Sequence, residues 1–396
     1  MDSDFKGKTI GLYLHIPFCL SKCSYCDFFS VTSKGRVPDS YVNALCNEIM
    51  ERFCGLGTFV DSVYVGGGTP SLLSDNQFSQ IFSTIKSYFT LSSDCEITVE
   101  VNPDDVTKEL LETLHKNGVN RLSCGIQSLN DMSLSFCLRR ANARVCEEAL
   151  NLIKNNWNGQ VSVDIICGLP QESQQSFVNG LEKLLSYKPD HISMYSLTIE
   201  EETPLEVQIS NGDFIYDYDS ADSLWLLGRD LLEKAGYKQY EVSNFCLPEK
   251  ECRHNLKYWS YQDYAGLGAG ATGTVYKSGG LPLRKTNYSD IDLYTKYWNS
   301  LSENKEQLQL PYFYEEINLK AAEFEFFMMS LRKLSGFNKS QYESLFQQKI
   351  PASFLNLINT WKEQGKAEIV SMNDDTIFSL GKKGIMFLNS FLTELL

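Results

Sequence analysis

Residues 9–26 read TIGLYLHIPFCLSKCSYC, an apolar run that stops at Pro17 and opens into a loop carrying three cysteines. The run from Thr9 to Ile16 has the length and the apolar, partly β-branched content of a buried strand. Cys19, Cys23 and Cys26 follow with CxxxCxxC spacing, so three thiols sit on one loop just past one strand end. A loop of that length wraps three thiolates around one face of a 4Fe-4S cubane and leaves one iron open to a small molecule. The rival is zinc, because His15 precedes Cys19 closely enough to complete a set of three cysteines and one histidine. Against zinc, His15 falls inside the strand pattern, and structural zinc loops usually pair two separated knuckles. The cluster is the expectation.

Five further apolar runs follow: VDSVYV from Val60, EITVEV from Glu96, VNRLSCGI from Val119, VSVDIICG from Val161 and DHISMYSL from Asp190. Amphipathic stretches separate them, one opened by Ser74 and Gln77 at capping-box spacing before Phe78, Ile81 and Ile85. This alternation predicts an α/β protein, an open or partial (β/α)6 barrel with its site on the loops at the strand C-termini.

Polar and glycine residues gather where such a barrel would aim them. The second run ends in VYVGGGTPSLL, and Gly66 to Gly68 let a backbone turn approach a ligand that any Cβ would obstruct. No Lys-Ser/Thr pair follows, so this is not a phosphate loop. Glu100, Gln127 and Asp164 each end an apolar run, and Arg139 lies on the segment after Gln127. The plain alternative is ordinary polar residues at loop entrances. Gly268, Gly270 and Gly273 match GxGxxG, but no apolar strand precedes them and no helical pattern follows, so a dinucleotide site is not expected. In ECRHNLKYW, His254 stands beside Tyr258 and Trp259. An imidazole ligates haem iron and flat rings line a porphyrin face, yet on the residues alone a packing histidine among aromatics is the better reading.

A helical pattern from Asp219 to Ala235 closes the barrel region, residues 1–235. Residues 236–310, rich in Gly, Tyr and Trp, read as an irregular connector able to cover a pocket. Residues 311–396 show helices around Ala321–Leu334, Gln341–Phe346 and Phe354–Trp361, then the β-like runs AEIV and TIFSL and a last helix. That is a small winged-helix-like unit. It carries 9 Lys plus Arg against 10 Asp plus Glu, which favours packing or partner docking over DNA. The whole chain has 36 basic and 50 acidic residues, a net charge of −14, and repels phosphate backbones, so nucleic acid is not expected as a partner. No apolar stretch approaches the ~20 residues of a membrane span and no signal pattern opens the chain, which reads as cytoplasmic. Of its 12 cysteines, the nine outside the loop are expected to be small buried hydrophobes.

The cysteine loop resembles that of the radical S-adenosylmethionine superfamily. The resemblance implies a partial (β/α)6 barrel, a 4Fe-4S cluster on Cys19, Cys23 and Cys26, S-adenosylmethionine chelating the open iron, and a methionine-binding turn at Gly67, Gly68 and Thr69. Taken together, LYLHIPFC, VGGGTPSLL, EVNP, GVNRLSCGIQS, DIICGLP, SMYSLTIEEETPL, YEVSNF, CRHNLKYW and GLGAGA resemble the oxygen-independent coproporphyrinogen III oxidase family. Within it the HemW-type haem chaperones are most similar, with an HNxxYW motif matching His254, Asn255, Tyr258 and Trp259. The resemblance implies binding of cluster, S-adenosylmethionine and haem, and transfer of haem to an acceptor such as a respiratory enzyme. It puts Tyr13, Tyr25, Gly67, Gly68, Thr69, Glu100, Gln127, Arg139, Asp164, Thr198 and Thr272 where the family contacts the nucleoside or the methionine.

The alternative it carries is true oxidase activity, in which a deoxyadenosyl radical removes hydrogen from two propionate side chains of coproporphyrinogen III. Two features argue against that: Phe28 stands where the oxidases have a further cysteine, and their longer segment before the first strand is missing here. The chain also departs from the chaperones. It has Leu138, Arg139, Arg140 and Ala141 where they show GRxH, and GAGATG with Thr272 where they show GAGAHS. His254 is then the principal candidate haem ligand, with His15 a weaker one.

Overall fold

The six expected strands form, as β1 (Thr9–Ile16), β2 (Phe59–Gly67), β3 (Thr90–Val101), β4 (Arg121–Gln127), β5 (Gln160–Cys167) and β6 (His191–Ser196), in a computed structural model that describes residues 2–277, 279–373 and 375–396. They lie side by side in that order and every neighbouring pair is parallel. Parallel neighbours need long crossovers, here built on α1 (Asp39–Phe53), α2 (Asp75–Tyr88), α3 (Lys108–Asn117), α4 (Ala143–Asn156) and α5 (Gln174–Leu185). The long helix after β6 is α6 (Tyr218–Lys234).

Capping sets where these helices begin. Ser74 Oγ accepts from the Gln77 N–H while Gln77 Oε1 accepts from the Ser74 N–H at 2.9 Å, the expected capping box. Thr107, Asn142 and Ser173 cap α3, α4 and α5 by accepting from the third helical N–H, each worth about 1 kcal/mol. Because side chains alternate along a strand, the two faces of the sheet differ. Leu12, Leu14, Val63, Val65, Val99, Leu122, Val163 and Ile192 are buried in one core with Leu45 and Ile49 of α1 and Phe78, Ile81 and Ile85 of α2. The other face carries Tyr13, His15, Ser62, Tyr64, Glu96, Thr98, Glu100, Ser123 and Asp164, a polar interior for the half-barrel.

Residues 236–310 depart from the expected irregular connector. Short strands β7 (Lys238–Gln239) and β8 (Asn244–Cys246) extend the sheet beyond β6, and β9 (Tyr264–Leu267), β10 (Thr272–Tyr276) and β11 (Pro282–Asn287) extend it beyond β1. β12 (Tyr312–Glu316) joins β11, so the sheet runs past residue 310, giving the order β12-β11-β10-β9-β1-β2-β3-β4-β5-β6-β8-β7. These strands have two to six residues, too few to show a period. The GxGxxG stretch does follow a strand, β9, contrary to the sequence reading. It leads into strand β10 and not into a helix, so the dinucleotide context stays absent.

Between the two additions lies α7 (Arg253–Trp259), and α8 (Ile291–Trp298) packs on α1. A second core starts at α9 (Leu319–Ser330) and continues through α10 (Lys339–Phe346), α11 (Ala352–Glu363) and α12 (Leu388–Leu395). A three-stranded antiparallel sheet of Phe337–Asn338 (β13), Ala367–Met372 (β14) and Asp375–Leu380 (β15) accompanies these helices. Of the nine scattered cysteines, Cys54 is exposed and the others are buried. Among the described residues no helix is long and apolar enough to cross a membrane.

Candidate functional site

The loop after β1 folds back on itself through a parallel bridge in which Phe18 and Cys19 pair with Val31 and Thr32. Cys19, Cys23 and Cys26 are each partly exposed, and all three line one cavity of about 370 Å³ at the C-terminal ends of the strands. Two neighbours donate toward their sulfurs. Thr69 Oγ1 lies 3.5 Å from Cys19 Sγ and Arg139 Nη1 3.5 Å from Cys23 Sγ. Burial pushes the Cys26 thiol up. Among the described residues no three His, Cys, Asp or Glu side chains converge on a single-ion position.

His15 does not face this cavity. Its Nε2 is 3.0 Å from the Phe29 carbonyl, which only accepts, so Nε2 carries the proton and Nδ1 accepts from the Tyr13 hydroxyl at 2.8 Å. Both ring nitrogens are occupied, and the fourth ligand of the zinc alternative is engaged elsewhere.

Each glycine after β2 is required by a different neighbour. A Cβ at Gly66 would meet Glu100 Oε1 at 2.9 Å; at Gly67, where φ is +117°, it would meet the His15 ring at 2.6 Å; at Gly68 it would meet the Phe18 backbone at 2.8 Å and Cys19 Sγ at 3.0 Å. The triple glycine thus lets β1, the cysteine loop and β3 close on one another. Thr69 follows, held by Asn102, whose Nδ2 donates to Thr69 Oγ1 at 3.1 Å.

Glu100 ends β3 at the cavity floor. Its carboxylate accepts from the Tyr64 hydroxyl at 2.8 Å and from the Gly67 N–H at 3.1 Å. Burial, helped by the nearby Asp164 charge, outweighs those bonds and raises its pKa to about 7. Asp164 accepts from Ser123 Oγ at 3.0 Å, and burial raises it too. Gln127 sits at a bulge in β4 with φ of 67°, a left-handed backbone that turns its side chain into the cavity. Arg139 Nη2 donates to the Gly125 carbonyl at 2.6 Å, while its buried Nε has no partner. Tyr25 and Thr198 complete the expected residues that line the cavity.

Two expected cofactor contacts lie outside it. Tyr13 is below the floor, stacked on Tyr64 at 6.3 Å. Thr272 is on β10, its hydroxyl 3.1 Å from that of Thr286. The sequence reading passed over Tyr64 and Asn102. The signal available for Tyr64 was a polar residue every second position inside an apolar run.

The HNxxYW segment is α7, and it plugs the opposite end of the half-barrel. His254 is 1% exposed, with Nδ1 2.9 Å from Ser62 Oγ and Nε2 2.7 Å from the Tyr258 hydroxyl. Burial lowers its pKa to about 3, so the ring is neutral. As folded, both its ring nitrogens are engaged by hydroxyl groups. Asn255, Tyr258 and Trp259 are partly buried with it, Tyr258 packing edge-on against Tyr264 at 4.6 Å.

Residues 13–184 match the family described as the radical SAM superfamily. The protein named "Heme chaperone HemW" from Buchnera aphidicola subsp. Schizaphis graminum (strain Sg) is 32% identical over 393 residues, covering 98% of each chain. The one of that name from Escherichia coli (strain K12) is 36% identical over 283 residues, 71% of this chain and 74% of its own. In structure, coproporphyrinogen III oxidase (HemN) from Escherichia coli, described as a radical SAM enzyme, superposes with a TM-score of 0.82 at 20% identity over 100% of this chain and 91% of that one. The shared fold follows from the superposition, and with identity sustained over the full length of a relative the chain belongs to the HemW family of haem chaperones within the radical SAM superfamily.

Proposed function

We propose that this protein is a haem chaperone that holds a 4Fe-4S cluster on Cys19, Cys23 and Cys26, binds S-adenosylmethionine beside it, and passes haem to an acceptor protein such as a respiratory enzyme. The observation that carries the reading is the convergence of three thiols, the glycine turn and a buried acid on one cavity, in a chain related to HemW end to end. The residues fit the group: three sulfurs on one short loop, two of them beside a donor, and a turn on which any Cβ would strike Cys19. When bound, such a cluster supplies one low-potential electron and an iron site for a chelating amino acid.

The chain's own side chains divide the binding of the methionine by charge. Arg139, with one buried N–H unpartnered, suits its carboxylate. Glu100 and Asp164 suit the N–H groups of an amine and ribose hydroxyls. Gly67 and Gly68 admit the ligand to backbone contact, Thr69 fixes the rim through Asn102 and Cys19, and Gln127 is aimed inward by its bulge. Anaerobic reconstitution tests the reading. Iron, acid-labile sulfide and a paramagnetic signal that changes on adding S-adenosylmethionine are expected, together with saturable haem binding and haem transfer to a haem-free acceptor. Conversion of coproporphyrinogen III to protoporphyrinogen by the same material would overturn the chaperone assignment in favour of an oxidase.

A further inference from the structure

Glu172 lies outside the cysteine cavity, in the turn between β5 and α5, one residue before the capping Ser173. Its carboxylate spans two strand ends. Oε2 accepts from the Gly168 N–H at 2.9 Å, on the turn that leaves β5, and Oε1 accepts from Ser128 Oγ at 3.3 Å, on the residue that follows Gln127 at the end of β4. Ser128 Oγ in turn accepts from the Asn130 N–H at 3.1 Å, and Asn130 Nδ2 donates to the Gln171 carbonyl at 3.1 Å. The two loops are thus tied twice. Gln127 lines both the cysteine cavity and a small cavity of about 20 Å³ beside it, whose polar walls include Ser128, Glu172 and Ser176.

These ties act on a strained backbone. Gln127 holds a φ of 67° and Gln171 a φ of 64°, left-handed conformations that a non-glycine residue keeps only when its surroundings fix it. The β4 bulge also sets other side chains at this edge of the cavity. A Cβ at Gly125 would meet Gln127 Nε2 at 2.9 Å, with Asn102 Oδ1 at 3.7 Å and Arg139 Nη2 at 3.9 Å, so three polar heads converge over one glycine. Glu172 is a costly choice for a plain structural tie. Its partners are a hydroxyl and backbone N–H groups with no cation among them, and burial raises its pKa to about 7. What a carboxylate offers against that cost is two acceptor oxygens, which take one donor from each loop at once.

We propose that Glu172 is a positioning residue for S-adenosylmethionine: by holding Ser128 and Gly168 together it keeps the β4 bulge in place and the Gln127 side chain turned into the cavity. The inference rests on the reading that this ligand occupies the cysteine cavity, and it adds a residue that does not touch the ligand. The influence passes across one peptide bond, from Ser128 to Gln127. Loss of Glu172 and loss of Gln127 should therefore remove the same contact. A residue that only packs would loosen the cavity as a whole, and its loss would add to that of Gln127.

The test is a double-mutant cycle on the reconstituted, cluster-containing full chain, read as S-adenosylmethionine affinity in anaerobic equilibrium dialysis at about pH 8, where the carboxyl is ionised. Glu172→Ala and Gln127→Ala should each weaken binding about tenfold, and the two together also about tenfold rather than about a hundredfold. Glu172→Gln keeps an acceptor for the Gly168 N–H and turns its amide N–H to Ser128 Oγ, so it should restore affinity to within about threefold of wild type. Iron and sulfide content and circular dichroism check the cluster and fold of each variant. If Glu172→Ala is disturbed, Ser128→Ala takes its place in the cycle, with the same non-additivity expected. Additive losses, or unchanged affinity in a folded, cluster-loaded Glu172→Ala, would overturn the positioning role and leave the S-adenosylmethionine reading intact. A cluster-loaded wild-type chain that does not bind the ligand would overturn that reading, and this inference with it.

Discussion

A single methyl group at Gly68 has nowhere to go, since the Phe18 backbone and Cys19 Sγ already lie 2.8 and 3.0 Å from its position. Gly68→Ala should therefore displace the cysteine loop, and reconstituted variant should carry markedly less iron and acid-labile sulfide per chain than wild type at similar folded content. Full loading would show that the loop tolerates the shift. Glu100 makes a pH prediction. Its carboxyl is raised to about 7 in the native state, chiefly by burial, so the native state holds this proton more tightly than the unfolded chain. Ionising it costs stability as pH rises from the ordinary carboxylate range through about 7. An amino group that donates N–H bonds prefers the ionised form, so S-adenosylmethionine affinity should rise from about pH 6 to about pH 8, with proton release on binding. Glu100→Gln should flatten that profile in calorimetric titrations. Both residues were legible in the sequence, because a glycine run and an acid at a strand end are local signals. His254 was not: its partner Ser62 is 192 positions away, and no spacing rule reports that both its nitrogens are taken.

At the scale of elements, the six long strands were readable from apolar runs, whereas the short strands between residues 238 and 316 were not, being fixed by the edges they pair with. α7 shows why a seven-residue helix stands at all. Isolated helices so short are unstable in water. Glu96, 6% exposed on the interior face of β3, accepts from the backbone N–H of Arg253 at 3.1 Å and of His254 at 2.9 Å. Its carboxylate thus satisfies two otherwise unpaired donors and faces the positive end of the helix. Removing it leaves those donors buried, each costing about 1–3 kcal/mol. Glu96→Ala should lower unfolding stability by about 2–4 kcal/mol in urea titrations. A loss below about 0.5 kcal/mol would mean that packing, not capping, holds α7.

A buried aromatic side chain joins the two units, alongside Val242, Tyr276 and Leu281. Tyr261, just past α7, is 5% exposed and belongs to the C-terminal core, with its hydroxyl donating to the Ala322 carbonyl at 3.1 Å and its ring packed on Phe326 and Phe346 at 5.5 and 6.2 Å. Tyr276 of β10 lies against it at 3.9 Å. A second tie runs from Lys333 Nζ to Ser260 Oγ at 2.9 Å, and a third from the Leu334 N–H to the Tyr240 carbonyl at 3.0 Å. All three land within residues 240–276, the region whose sequence showed no period, because its pattern is set by partners in the other unit. The half-barrel therefore presents an apolar face that is covered only when the C-terminal unit is attached. A chain ended after Ile317 should expose Tyr261 and Tyr276, bind more of a hydrophobic dye, and aggregate at concentrations where the full chain stays dispersed in light scattering. Tyr261→Ala in the full chain should separate one unfolding transition into two in calorimetry, since it empties the shared contact and leaves each core otherwise whole. A soluble truncated chain with unchanged near-ultraviolet dichroism would show instead that the two cores stand independently.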